Sequence, residues 1–349
     1  MNDSIDDTRL GVALSKRMLS AAALGISLCL SVGCSKKDES IASDGSTPKF
    51  ADAEPFARND AIGATAPDLK AGALPEHIAS ATLLGDEILW NLGDTVRSRV
   101  VAVSKLADDP QYSAVAGLWP HSHPRLAASV EDYLLRHVDL AIVANFTDEN
   151  VKHALRDRLT LVELDDFSGH DAYLTNLAAI GAAVGAKAQA DLIRDAFLQA
   201  RTKIEARTAH DAEQLRKYFQ RKPRCLAWNY DHSPGKKTTF DDAATLAGCE
   251  NATATAGLVG HQRIDAESVV AWDVDIFVLA CEPGQDCEGV EALFAARPGH
   301  ASIRAIAQGN FATVPSHLLS TTGAHQLDLA TELHDRILGL SKRPLSGRN

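Results

Sequence analysis

The stretch from Ala186 to Phe219 contains neither proline nor glycine. It is dominated by Ala, Leu, Gln, Lys, Arg and Glu, residues that lose little side-chain freedom in a helix. Ile193, Phe197, Ala200 and Ile204 recur at spacings of four, three and four, which puts them on one helical face. The other face carries Arg194, Asp195, Arg201, Lys203 and Glu205. Gly185 marks the start, and Pro223 prevents continuation beyond the end. At ~1.5 Å per residue, the part up to Arg207 alone spans roughly 33 Å, the width of a small domain. Such a helix is either an ordinary long surface helix or a bridge, and its flanks decide which.

Upstream, Glu131-Asp132-Tyr133-Leu134-Leu135-Arg136-His137-Val138-Asp139 leads into Leu140-Ala141-Ile142-Val143. Downstream, Glu267-Ser268-Val269-Val270-Ala271-Trp272-Asp273-Val274-Asp275 leads into Ile276-Phe277-Val278-Leu279. In both, a Glu opens a short helical pattern, Val-Asp follows at the same spacing, and a buried-strand run comes next. Two unrelated helix–strand units could match by chance. The position of the long helix between them favours two lobes built alike, with the linking helix at 186–219.

Residues 1–34 read as an export signal. Arg9, Lys16 and Arg17 form a basic start, and Met18 to Val32 is an apolar run too short to span a membrane. The run ends Leu30-Ser31-Val32-Gly33-Cys34, which resembles a bacterial lipobox, with Ser31 where Leu is usual. The resemblance implies a lipidated Cys34 and anchoring to a membrane in the periplasm. Residues 35–74 are rich in Ser, Lys, Asp, Gly, Pro and Ala and read as a flexible tether. The rest of the chain suits two α/β lobes, at 75–185 and 220–342. A formal net charge of −11 without a basic run argues against a nucleic-acid partner. With Cys29 removed and Cys34 lipidated, Cys225, Cys249, Cys281 and Cys287 remain, without zinc spacing. Disulfides suit an exported chain; Cys281 and Cys287 could close a small loop and Cys225 and Cys249 pair, the connectivity staying open.

Strand and helix patterns alternate in both lobes. The first gives strands at 77–84, 99–104, 139–145 and 159–164, and helices from 85, at 131–137, 147–158 and 171–184. The second gives strands at 224–230, 275–281 and 311–314, and helices at 239–247, 266–272, 302–307 and 322–338. This alternation predicts an α/β fold of two Rossmann-like lobes with mostly parallel sheets, joined by one long rigid helix.

On this pattern the chain resembles the helix-linked periplasmic substrate-binding proteins of ABC importers for iron–siderophores, haem and cobalamin. The likeness covers roughly 74–340. It rests on Arg99-Val-Val-Ala-Val-Ser104 with Asp108-Asp109-Pro110, the Glu131 and Glu267 segments, Thr238-Thr239-Phe240-Asp241-Asp242, Gly248-Cys249-Glu250-Asn251-Ala252 and Gly257-Leu258-Val259-Gly260. Val138 and Val274 stand where the family usually has Pro. The resemblance implies a monomer that captures a metal chelate between its lobes and delivers it to an ABC permease dimer. It also implies that Glu131 and Glu267 pair with permease arginines, a geometry in which a carboxylate meets a planar guanidinium. Taken alone, each Glu would satisfy a helix start.

Ligands of open α/β sheets bind beyond the carboxyl ends of the strands. That rule nominates Thr82, Leu83, Leu84, Lys105, Trp119, His121, Asn145, Phe146, Trp228, Tyr230, Ser320 and Thr321. Aromatic faces suit a corrin, porphyrin or catecholate plane, although Trp119 and Trp228 fit a core equally well. His121 with His123, or Tyr230 with His232, could ligate iron or cobalt in the bound chelate. No resident cofactor is expected. Two rival readings are an exported metal-dependent hydrolase built on His121-x-His123 and a binding protein for free metal ions. Against the first, the chain has no Gly-x-Ser-x-Gly elbow, His-Glu-x-x-His run or Rossmann fingerprint. Against the second, the nominated loops are apolar and aromatic.

Overall fold

The computed structural model describes residues 74–127, 129–229 and 231–343. The expected signal peptide at 1–34, Cys34, the tether up to residue 73 and Tyr230 lie outside the described residues.

The first lobe contains β1 (Ile78–Ser80), α1 (Leu83–Asn91), α2 (Asp94–Arg97), β2 (Val100–Ala102), α3 (Val130–Leu135), β3 (Leu140–Ala144), α4 (Glu149–Arg156), β4 (Thr160–Leu164) and α5 (His170–Ala183). Helix α6 (Lys187–Phe219) follows. The second lobe contains β5 (Arg224–Trp228), β6 (His232–Pro234), α7 (Thr239–Leu246), β7 (Glu250–Asn251), α8 (Ala252–Thr255), β8 (His261–Arg263), α9 (Ala266–Ala271), β9 (Ile276–Cys281), α10 (Cys287–Ala295), α11 (Arg304–Ala307), β10 (Phe311–Pro315), α12 (Ser316–Leu319) and α13 (Gln326–Ser341).

Each lobe is built on a parallel sheet, in the order β2-β1-β3-β4 in the first and β10-β9-β5-β7 in the second. Helices cover both faces, so the central strands are apolar on both sides. In β3, Leu140 and Ile142 join the core beside α6, while Ala141 and Val143 join a separate cluster around Tyr133 and Leu155. In β9, Ile276 and Val278 face the α6 side, and Phe277 and Leu279 pack with Trp228 and Phe294. The antiparallel pair β6–β8, joining His232 to Arg263, adds a feature that the alternation pattern did not contain.

Helix α6 has the predicted seam. Phe197 is fully buried and stacks 5.0 Å from the Tyr173 ring, with Ile193, Ala200 and Ile204 half-buried against the same core. Leu215, Tyr218 and Phe219 form its second buried patch, in contact with the second lobe. The helix is tied to that lobe again where His334 of α13 places its ring nitrogens 3.0 Å from the Asp211 carboxylate and 3.0 Å from the Ala247 carbonyl. Gln220 at φ 64° then turns the chain out of the helix.

The twofold motif seen in the sequence is structural. Ser129 and Asp265 cap α3 and α9, each accepting a hydrogen bond from the amide three residues on. The chain leaves each helix through a left-handed residue, His137 at φ 53° and Asp273 at φ 51°. Each following aspartate then receives the amides that open a neighbouring strand. Asp139 accepts from Glu76 and His77 beside β1, and Asp275 accepts from Arg224 of β5. The acid thus recurs because it satisfies a strand start that would otherwise be unpaired. In the second lobe, Cys225 pairs with Cys249 and Cys281 with Cys287.

Candidate ligand cleft

The lobes meet where their strands end. Gln111, in the loop after β2, donates to the Glu282 carboxylate beyond β9 at 3.1 Å. The amide of His170, opening α5 after β4, donates to Asp242 in the first turn of α7 at 2.8 Å. Glu87 of α1 accepts from the amide of Ala324, ahead of α13, at 2.7 Å. These contacts join strand-end loops and helix starts of the two lobes, the region where open α/β sheets take their ligands.

Between β2 and α3, the long loop of the first lobe is shaped by its own ion pair. Arg125 grips Asp108 with two hydrogen bonds of 2.8 and 2.6 Å, which lowers the Asp108 carboxyl below its ordinary range. Its underside is anchored by Trp119, stacked edge-on against Trp90 at 5.2 Å. In the same loop Leu106, Tyr112 and Leu118 are about 40% exposed, and beyond β3 Phe146 is 79% exposed beside Phe167. These apolar side chains share the loop set that carries Gln111 to the second lobe.

The nominated residues divide. Lys105, His121, Asn145, Phe146 and Ser320 are exposed, and Leu83 is half-buried. Thr82 is buried because its hydroxyl caps α1, accepting from the Gly85 amide at 2.9 Å. Thr321 is buried with its hydroxyl on the Gly323 amide. Leu84, Trp119 and Trp228 are core side chains, and here the expectation of cleft-lining planes gives way to packing. Trp119 is 1% exposed, and Trp228 lies among Phe277, Phe294 and His300. His123 leans on the Trp119 ring at 5.6 Å, while His121 is exposed. Burial, with the neighbouring Arg125 charge, lowers the His123 pKa. Among the described residues, no three His, Cys, Asp or Glu side chains gather in a way that would hold a metal ion.

Glu131 and Glu267 are both exposed in the first turns of α3 and α9. Each helix runs back along its sheet to the start of the next strand, so each first turn lies on the strand-end side. Three residues after each Glu comes an exposed aliphatic side chain, Leu134 or Val270. Sequence reasoning missed the cross-lobe partners Gln111, Glu282, Glu87 and Ala324. The partners in these contacts lie far apart along the chain.

Two parallel-sheet lobes joined by one helix, in contact through their strand-end loops, give a helix-linked two-lobe architecture. The periplasmic binding protein family matches residues 78–318, and the chain belongs to that family. It is accordingly a binding protein, not an enzyme, and its place is extracytoplasmic. Among curated proteins none matches. Among solved structures, the chain is similar to the periplasmic haem-binding protein BhuT in complex with two haems, at 17% identity and TM-score 0.62, covering 76% of this chain and 99% of that one. It is similar to a periplasmic haem-binding protein from Pseudomonas aeruginosa at 23% identity and TM-score 0.59, covering 78% and 96%. It is also similar to the vitamin B12 binding protein BtuF of Vibrio cholerae, at 15% identity and TM-score 0.58, covering 77% and 99%. At these identities the likeness carries the fold.

Proposed function

We propose that this protein captures a metal chelate in the cleft between its lobes and hands it to the permease dimer of an ABC importer. The chelate is an iron–siderophore, cobalamin or haem. The observation that carries the reading is the exposed apolar set Leu106, Tyr112, Leu118 and Phe146 on the strand-end loops. Exposed aromatic and aliphatic surface suits the broad, partly apolar face of a corrin, porphyrin or catecholate complex, and exposed apolar patches commonly mark binding surfaces. Haem and vitamin B12 are the ligands named for the similar structures. Lys105, His121, Asn145 and Ser320 would supply polar contacts around that surface. Lipidation of Cys34 would hold the receptor at a periplasmic membrane, with residues 35–74 as its tether. The test is an absorption spectrum of the purified protein after incubation with haem, cobalamin or a ferric siderophore and removal of free ligand. One chromophore should stay with the protein at micromolar concentration. Retention of none of the three would overturn the reading.

Delivery is assigned to Glu131 and Glu267, one on each lobe and equivalent in the repeat. Replacing both by Ala should leave chelate binding nearly unchanged and weaken docking. A rim ion pair contributes up to about 1 kcal/mol and a desolvated bidentate pair more, so the double variant should dock roughly tenfold more weakly or worse. Titration of the purified variant beside an uptake assay checks this. Lost chelate binding would move the two carboxylates into the cleft, and unchanged uptake would return them to a helix-start role.

A further inference from the structure

Glu87 lies in the first lobe and is 5% exposed. Among the described residues its hydrogen-bond partner comes from the other lobe, the Ala324 amide at 2.7 Å. A Cβ at position 323 would collide with the Glu87 carboxylate, so the approach requires the glycine found there. His325 follows, with Nδ1 2.7 Å from the Asp328 carboxylate, and its charge faces Glu87. Tyr173 of α5 also feels the Glu87 charge, and His317 of α12 feels that of His325. Burial raises the Glu87 pKa, while His325 and the Ala324 amide oppose that rise. Burial lowers the His325 pKa, but the Asp328 hydrogen bond and the Glu87 charge outweigh it and hold the ring at about 9.

A buried carboxylate is tolerated only when it is hydrogen-bonded and compensated. The donor here belongs to the opposite lobe, just ahead of the 16-residue helix α13, whose first turn also favours an anion. Parting the lobes would leave Glu87 without this bond. The two segments it joins are the start of α1, where Leu83 is half-buried, and the 320–324 loop, where Ser320 is exposed, one from each lobe.

We propose that Glu87 is a positioning residue whose carboxylate clamps the Ser320–Ala324 segment of the second lobe onto the start of α1, fixing the spacing across the ligand cleft. The clamp deepens the proposed function, since it rests on reading half-buried Leu83 and exposed Ser320 as ligand-facing. Its geometry is tested on ligand-free protein, so it stands or falls separately from the identity of the chelate.

The experiment compares the full chain with Glu87→Gln and Gly323→Ala. Histidine proton resonances report the titration of His325, and hydrogen exchange reports the Ala324 amide. In Glu87→Gln, His325 should titrate well below its wild-type value, because an amide keeps the acceptor but loses the charge. In Gly323→Ala the added methyl should displace the carboxylate, and Ala324 exchange should quicken by about tenfold or more, the usual worth of one hydrogen bond of this type. A side chain that merely fills space would lower the melting temperature without moving the His325 titration. Unchanged His325 titration in Glu87→Gln together with unchanged Ala324 exchange in Gly323→Ala would overturn the proposal.

Discussion

Asp86→Asn should be more stable than the wild type at pH 8 and nearly equal to it at pH 4. Asp86 is 0% exposed, and burial raises its pKa from 3.8 to about 7, against hydrogen bonds from Ser104 and Ser80 and the Arg125 charge. A carboxyl whose folded pKa is raised binds its proton more tightly in the folded state. Its contribution is therefore fully present below the unfolded value and lost as pH rises through the folded one. A shift of about three units is worth on the order of 4 kcal/mol at ~1.36 kcal/mol per unit, lost between about pH 4 and 7. Asparagine cannot ionise, and its side-chain oxygen can still accept from the Ser104 amide, which Asp86 holds at 3.1 Å. Urea unfolding of both proteins at the two pH values measures the difference. A gap that is the same at pH 4 and pH 8 would mean that Asp86 does not titrate in this range.

Removing the Cys225–Cys249 bridge should cost about 3 kcal/mol, by the chain entropy that a loop of this size restores to the unfolded state. The two cysteines are 24 positions apart and fully buried, joining β5 to the segment that enters β7. Replacing both by alanine avoids burying an unpaired hydroxyl. The Cys281–Cys287 bridge closes a separation of only 6 and should contribute less. Denaturant unfolding of the two double-alanine variants ranks them. Equal costs would show that strain or lost packing, not loop closure, sets the contribution.

The fold was readable where the chain alternates strongly. β3 and β9 are uninterrupted apolar runs of the kind that parallel sheets bury on both faces, and the Glu-to-Val-Asp repeat carried the equivalence of the lobes. The α6 seam was readable because four residues kept helical spacing over three turns. The short pieces were hidden. β6 and β8 are three residues each, β6 ends in proline, and neither shows an apolar alternation that would mark a strand. Residues 82–84 were expected to end a strand. Instead Thr82 caps a helix that begins at Leu83, a competition between β-branched propensity and capping that only the surroundings decide. Among the site residues, a tryptophan in a core and one in a cleft look alike in sequence, so Trp119 and Trp228 could not be sorted. The cross-lobe contacts join residues 171, 237 and 72 positions apart, beyond any local spacing rule.

The way α6 is held has a mechanical consequence. Its first half is packed on the first lobe through Phe197, and from Arg207 onward it is tied to the second by Arg207–Asp335, Thr208 to the Leu246 carbonyl, and Asp211–His334. Between the packed seam, which ends at Ile204, and these ties lie only Glu205 and Ala206, a rise of roughly 3 Å at ~1.5 Å per residue. A beam so short and so firmly built in at both ends resists bending, and no single residue in it can act as a pivot. Any flexing is shared over less than two turns and amplified toward the far edges of the lobes, as a short lever moves a long arm. Parts of the two lobes remote from α6 therefore travel farthest for a given strain, while those packed beside it keep their spacing.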